Sequence, residues 1–274
     1  MSLVRAQPPQ PYQLTMNELS LFTGAGGGVY GSKLLGWNTV GYVEYDEFCQ
    51  AVIAQRIKDG IFDKAPIFSD VRLFADQFAE SYRGVAQVVT AGFPCQPFSE
   101  AGKRRGSADS RNMWPATISI IRKVQPQWCL LENVPGLLGK HGYFGTILKD
   151  LAESGYNAEW ACLSAQDVGA PHKRERLWIV AHADDMRLGW RVKQSASSKS
   201  AGDVADPDSI RQLQSCGGQP NERRRLGNGC WWETEPNVGR VADGVAARSN
   251  RIKALGNGQV PAVVRAAWTE LVKL

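Results

Sequence analysis

The chain has no Cys-x-x-Cys pair and only three histidines among its 274 residues, so the ligand clusters of structural zinc sites have little to form from. Its six cysteines are widely spaced, which argues against a disulfide framework and fits a reducing, cytoplasmic compartment. No stretch approaches the roughly 18 consecutive apolar residues of a membrane span. The segment Met1–Tyr12 is rich in Pro and Gln and lacks the apolar core of a signal peptide; residues 1–14 are expected to form a flexible tail. There is no internal repeat and no large charge excess. The formal net charge of +5 permits a nucleic-acid partner without demanding one.

What is present is an alternation of strands and helices. Glu18–Phe22 reads as a strand that runs into the loop Thr23–Gly28 and then a helix over Val29–Leu35. Strands follow at Thr39–Val43, Ile67–Ser69, Val85–Ala91, Trp128–Leu131, Asn157–Leu163 and Leu177–His182. Helices are expected at Phe48–Ile57, Leu73–Tyr82, Trp114–Val124 and Tyr143–Ser154. Such a rhythm implies an α/β fold with a mostly parallel sheet covered on both faces. From about Ala183 to Asn250 the periodicity gives way to Gly, Ser, Arg, Asp and Trp, including Trp190, Trp231, Trp232 and the run Arg223-Arg224-Arg225. Regular apolar spacing returns at Val260–Leu271, an amphipathic helix.

Two strand ends carry chemistry. Gly92-Phe93-Pro94-Cys95-Gln96-Pro97-Phe98-Ser99 places a thiol on a proline-bounded loop just after the apolar run Val88–Ala91, where open α/β sheets build their sites. Cys49, Cys129 and Cys162, inside apolar or amphipathic runs, read as packing. In Leu131-Glu132-Asn133-Val134-Pro135 a second apolar run ends in a carboxylic acid. The loop holding Gly24 and Gly26 suits a ligand at a helix amino terminus. It is not the dinucleotide fingerprint, because Val29 stands where a third small residue belongs; this disfavours a nicotinamide oxidoreductase. Glu44 ends the next strand about twenty residues on, where an acid can accept ribose hydroxyls, or simply meet solvent. Gly102–Ser107, with Lys103, Arg104 and Arg105, reads as a loop able to close over phosphates or as plain surface. Arg174 and Arg176, at alternate positions entering a strand, would share one face; their alternative is a solvated strand edge.

Leu21-Phe22-Thr23-Gly24-Ala25-Gly26-Gly27, Gly92–Ser99 and Glu132-Asn133-Val134 stand in the order of three motifs of the DNA cytosine-5 methyltransferases, and the chain resembles that family. Pro171-His172-Lys173-Arg174-Glu175-Arg176 is similar to its Gln-x-Arg-x-Arg element, with His172 in place of the glutamine. Ala254–Pro261 is similar to its closing Gly-Asn element, with Gly258 where Ser or Ala is common. The resemblance implies a Rossmann-like methyltransferase fold plus a small irregular target-recognition region. The catalytic domain would comprise residues 15–182 and 251–274, and the recognition region residues 183–250. It further implies S-adenosylmethionine as cofactor, S-adenosylhomocysteine as product, double-stranded DNA as partner, and a monomer of bacterial or phage type, as in restriction-modification systems.

The same resemblance gives the residues roles. Cys95 adds to C6 of a flipped-out cytosine, Glu132 protonates N3, and Arg174 and Arg176 hold the base carbonyl or a flanking phosphate. Phe22, Gly24, Gly26, Gly27, Glu44, Tyr45, Asp70, Pro94 and Asn257 would bind cofactor. Ser99, Lys103, Arg104, Arg105, Arg223, Arg224 and Arg225 would meet DNA. A tRNA-modifying branch with similar motifs and a catalytically silent DNA-binding relative are the rival readings.

Overall fold

Seven strands form one sheet in the computed structural model, which describes residues 15–94, 112–139, 142–183 and 248–272. In chain order the elements are β1 (Asn17–Leu21), α1 (Gly27–Leu34), β2 (Asn38–Val43), α2 (Glu47–Lys58), β3 (Ile67–Phe68), α3 (Val71–Gln77), β4 (Val88–Ala91), α4 (Trp114–Val124), β5 (Trp128–Asn133), α5 (Tyr143–Glu153), β6 (Tyr156–Leu163), β7 (Arg176–Ala183), α6 (Arg248–Asn257) and α7 (Pro261–Leu271). The spatial order is β3-β2-β1-β4-β5-β7-β6. All pairings from β3 through β5 are parallel, whereas β7 runs antiparallel to both β5 and β6. This is the mostly parallel α/β sheet expected of a Rossmann-like methyltransferase, with one reversed strand that alternation alone does not reveal.

Burial on both faces explains why the central strands read as continuous apolar runs. Along β5, Cys129 and Leu131 face a core with Phe74, Ile118, Ile121, Ile147 and Leu151. Leu130 faces a second core with Val180, Trp178, Val263, Val264 and Leu271. The closing helix α7 thus belongs to the sheet, and it packs against α1 so tightly that a Cβ at Gly31 would lie 2.4 Å from Val264 Cβ.

Three local expectations need correction. The helix expected over Leu73–Tyr82 starts at Val71, because Asp70 Oδ1 accepts the amide of Arg72 at 2.7 Å as a cap. It stops at Gln77, and a separate 3-10 turn covers Ala79–Tyr82. Helix α6 starts at Arg248, inside the stretch read as irregular; its weak amphipathicity, with only Ala254 buried, gave periodicity nothing to find. Cys49 and Cys129 are free and buried as expected, but Cys162, half-buried on β6, is disulfide-bonded. No described helix is long and apolar enough to cross a membrane.

One buried acid ties the elements beneath the crevice together. Glu18, fully buried on β1, accepts hydrogen bonds from Ser32 on α1 at 2.7 Å, Thr39 on β2 at 2.9 Å and Thr90 on β4 at 2.6 Å. Burial raises its pKa above the ordinary carboxyl value despite these three donors. Below pH 4.5 the carboxyl is neutral whether the chain is folded or not. Above it, the unfolded chain ionises first, so stability falls as pH rises toward the folded-state pKa. Glu18→Gln removes this loss. Thermal melts at about pH 5 and about pH 8 should show the Tm difference shifting in the variant's favour at the higher pH; an unchanged or reversed difference would show that Glu18 does not titrate as described.

Candidate active site

Strand order reverses between β1 and β4, and the crevice beyond their carboxyl ends is where open α/β sheets bind ligands. At the end of β1 the chain turns sharply. Phe22 has a φ of 53°, in the left-handed region that side chains other than glycine rarely occupy. Gly24 and Gly26 follow with φ of 58° and 90°. Gly26 precedes the first turn of α1, and a Cβ there would lie 2.4 Å from the Phe62 ring. Glu44, just past β2, shapes the same loop: Oε2 accepts the Gly24 amide at 2.6 Å and Oε1 accepts the Asp46 amide at 2.7 Å. Neighbouring Tyr45 is 79% exposed.

A crevice opens here, lined by Phe22, Gly24, Gly28, Gly92, Asn257 and Gln259 among others. Of the sequence-derived cofactor residues, Phe22, Gly24 and Asn257 line it, and Glu44 holds its rim through Gly24. Gly26, Gly27, Tyr45, Asp70 and Pro94 lie outside its lining. Lys253 of α6 pairs with Asp46 at 2.7 Å, tying that helix to the segment after β2.

Glu132 joins this crevice to a second, smaller one, lined also by Arg174, Arg176, Trp178, Gln259, Val260 and Val263. The carboxyl, 9% exposed at the end of β5, is held from two sides. Arg176 Nε lies 3.0 Å from Oε1, and Gln259 Nε2 lies 3.4 Å from Oε2. Burial pushes its pKa up; Arg176, Gln259 and Arg174 oppose that push without cancelling it. Trp178, directly across from Glu132 on β7, carries a buried indole N–H with no hydrogen-bond partner among the described residues.

The loop that leaves β4 is fastened to the acid's strand. Asn133 Nδ2 donates to the carbonyl of Phe93 at 3.1 Å, and Phe93 packs at 5.3 Å on Trp114. Gly92 lies so close that a Cβ there would be 3.0 Å from Glu132 Oε2. The described chain stops at Pro94. Cys95, Ser99, Lys103, Arg104, Arg105, Arg223, Arg224 and Arg225 all lie outside the described residues.

The two arginines do not share a strand face. Arg174 precedes β7, with a φ of 31°. Its guanidinium donates to the carbonyls of Gly256 at 2.9 Å and Gly258 at 2.5 Å, which fastens the end of α6 and the residues that follow. Arg176 alone reaches Glu132 at salt-bridge distance. Sequence reasoning missed Asn133 and Gln259 as individuals. Both sit inside quoted motifs, yet an amide has no charge or periodicity to single it out.

A family model described as C-5 cytosine-specific DNA methylase matches residues 16–269. The type II methyltransferase M.NgoMIV of Neisseria gonorrhoeae is 31% identical over 196 residues, 70% of this chain and 60% of its own length. M.BsuFI of Bacillus subtilis is 44% identical over 104 residues, 37% of this chain and 25% of its own. M.AplI of Arthrospira platensis is 33% identical over 165 residues, 60% of this chain and 45% of its own. The chain therefore spans between a quarter and three fifths of the length of these curated relatives. Among solved structures, a DNA modification methyltransferase encoded within an E. coli prophage superposes with a TM-score of 0.52 at 24% identity, over 63% of this chain and 48% of its own. A DNMT2 mutant of Spodoptera frugiperda superposes at 0.50 and 21%, over 62% and 50%. At these identities the likeness concerns the fold.

Proposed function

The chain belongs to the C-5 cytosine-specific DNA methylase family, and from that premise we propose that it transfers a methyl group from S-adenosylmethionine to C5 of cytosine in duplex DNA. The observation that carries this reading is Glu132. It is a buried carboxyl with a raised pKa, set against Gly92 at the start of the loop that leads to Cys95.

The cofactor, when bound, supplies an electrophilic methyl group. Phe22, Gly24 and Asn257 line the cavity that would hold it, and Gly26 and Gly27, whose Cβ positions face Phe62 and Gln259, would bear on its methionine end only through the shape of the loop. Glu44 has lone pairs beyond the two bound by backbone amides and would accept the ribose hydroxyls. Tyr45 would stack on the adenine, Asp70 would accept its amino group, and Pro94 would border it.

The cytosine, rotated out of the stack at about a few kcal/mol, would enter beside Glu132. The Cys95 thiolate forms the S–C6 bond while Glu132 gives its proton to N3, so the electron pair of C5=C6 becomes available at C5 for bonding to the methyl group. A base then removes the C5 proton, the pair returns to C5=C6, the S–C6 bond breaks, and the N3 proton returns to Glu132. Arg176, held to Glu132 at 3.0 Å, would also donate to the base carbonyl. Arg174, engaged by Gly256 and Gly258, would act on the base only through that segment.

Residues 15–182 and 251–274 would form the catalytic unit and residues 183–250 would read the target. Ser99, Lys103, Arg104 and Arg105, with Arg223, Arg224 and Arg225, would meet DNA; a run of three arginines suits phosphates better than base edges. The test is incubation of the full chain with methyl-labelled cofactor and either a randomised duplex library or a tRNA pool, followed by bisulfite sequencing. Label at C5 of cytosine within one DNA sequence context supports the proposal. Label in RNA alone, or in neither, overturns it in favour of an RNA-modifying or a silent relative.

A further inference from the structure

Gln259 is the one residue besides Glu132 that lines both cavities of the site, and three glycines, two in the first turn of α1 and one in the loop after β4, make its slot. A Cβ at Gly27 would lie 2.3 Å from the Gln259 carbonyl oxygen, one at Gly28 would lie 2.5 Å from its Oε1, and one at Gly92 would lie 2.9 Å from its Nε2. Contacts under 3.0 Å are ones that real Cβ atoms essentially never show. The first turn of α1 and the loop after β4 are therefore both bare of side chains where this amide passes between them. The Gln259 backbone is fixed from the other side by Arg174, which holds the carbonyl of the preceding residue, Gly258, at 2.5 Å, and by Val260, whose carbonyl opens α7.

The carboxyl of Glu132 is thus gripped at each oxygen by a different kind of group. Arg176 on β7 holds Oε1 at 3.0 Å by charge. Gln259 approaches Oε2 at 3.4 Å by a long neutral hydrogen bond. A carboxyl held at one oxygen can pivot about that contact; held at both, it keeps one plane. We propose that Gln259 is a positioning residue that sets the orientation of the Glu132 carboxyl, and that it does so from the wall shared with the cofactor cavity. The inference rests on Glu132 being the acid that serves N3. The other charged group facing Glu132 among the described residues is Arg174, from the turn before β7. A weak, uncharged donor on Oε2 steadies the carboxyl without the second full positive charge that would strip its proton.

Gln259→Met keeps the length of the side chain and fills the slot without an N–H. Its kcat at saturating cofactor and DNA should fall about tenfold, the scale of one lost hydrogen bond to an acid that must be oriented. KM for DNA and Tm should stay near the wild type. The Gln259 amide favours the ionised carboxylate, so the alkaline limb of kcat should also move to higher pH. Gln259→Ala, which empties the slot, should lose kcat similarly and keeps the inference testable if the Met variant folds poorly. Glu132→Gln, assayed alongside, separates the two levels. If Glu132→Gln is inactive while both Gln259 variants keep wild-type kcat and pH profile, the positioning role is wrong and the acid assignment stands. If Glu132→Gln retains wild-type turnover, the acid assignment fails and the inference falls with it.

Discussion

Replacement of Cys95 by serine is expected to abolish methyl transfer, with turnover at least about a thousandfold below the wild type, because a hydroxyl at neutral pH is a far weaker nucleophile than a thiolate. Cofactor affinity should change little, since the cavity lined by Phe22, Gly24 and Asn257 does not need the thiol. Single-turnover assays with labelled cofactor, together with calorimetric titration of the cofactor, separate the two effects. Turnover within tenfold of the wild type would remove Cys95 from the mechanism. A cognate duplex carrying 5-fluorocytosine adds a positive test. Fluorine replaces the proton whose loss frees the enzyme, so a covalent adduct should accumulate on the wild-type protein and be absent from Cys95→Ser.

Glu132→Gln should lower kcat by about 10²–10⁴-fold, the range for loss of a general acid. An amide of the same shape can still face Arg176, so most of the loss should be in chemistry rather than folding. The pH dependence carries the sign. Glu132 acts while protonated, burial raises its pKa, and wild-type kcat should therefore decline as pH rises through that raised value. The variant should lack this limb. Glu44→Ala should do the reverse in binding space: it should weaken cofactor affinity and deform the loop whose Gly24 amide it holds at 2.6 Å, while leaving kcat at saturation less affected. The opposite pattern in the two variants would mean that the strand-end acids have exchanged roles.

The strands that carry these acids were legible because a parallel sheet buried on both faces writes itself as short apolar runs, and β5 with its terminal Glu132 is such a run. The direction of β7 was not legible. Its residues alternate with those of β5 in the same way whether the strands run parallel or not, and only the register from Trp128 opposite His182 to Asn133 opposite Leu177 fixes the reversal. Arg174 shows why local reasoning fails at a site. Alternation with Arg176 assumed extended backbone, and the left-handed turn at Arg174 sends its guanidinium to carbonyls more than eighty residues away. Gln259 was hidden for the same reason, since its partners at Gly27, Gly92 and Glu132 are distant in the chain and become neighbours only when α7 closes on α1.

The return of α6 and α7 to the crevice sets the terms on which the intervening segment can change. Its two ends are pinned: Ala183 pairs with Tyr156 at the end of β7, and on the far side Lys253 is anchored on Asp46 and Gly256 on Arg174. Both ends of residues 184–247 are thus fixed on the same sheet, and shifting the second anchor, at Lys253 and Gly256, by one residue would pull Gln259 out of its slot. A change confined to the sequence between the two anchors touches none of the described contacts that hold Gln259 behind the acid.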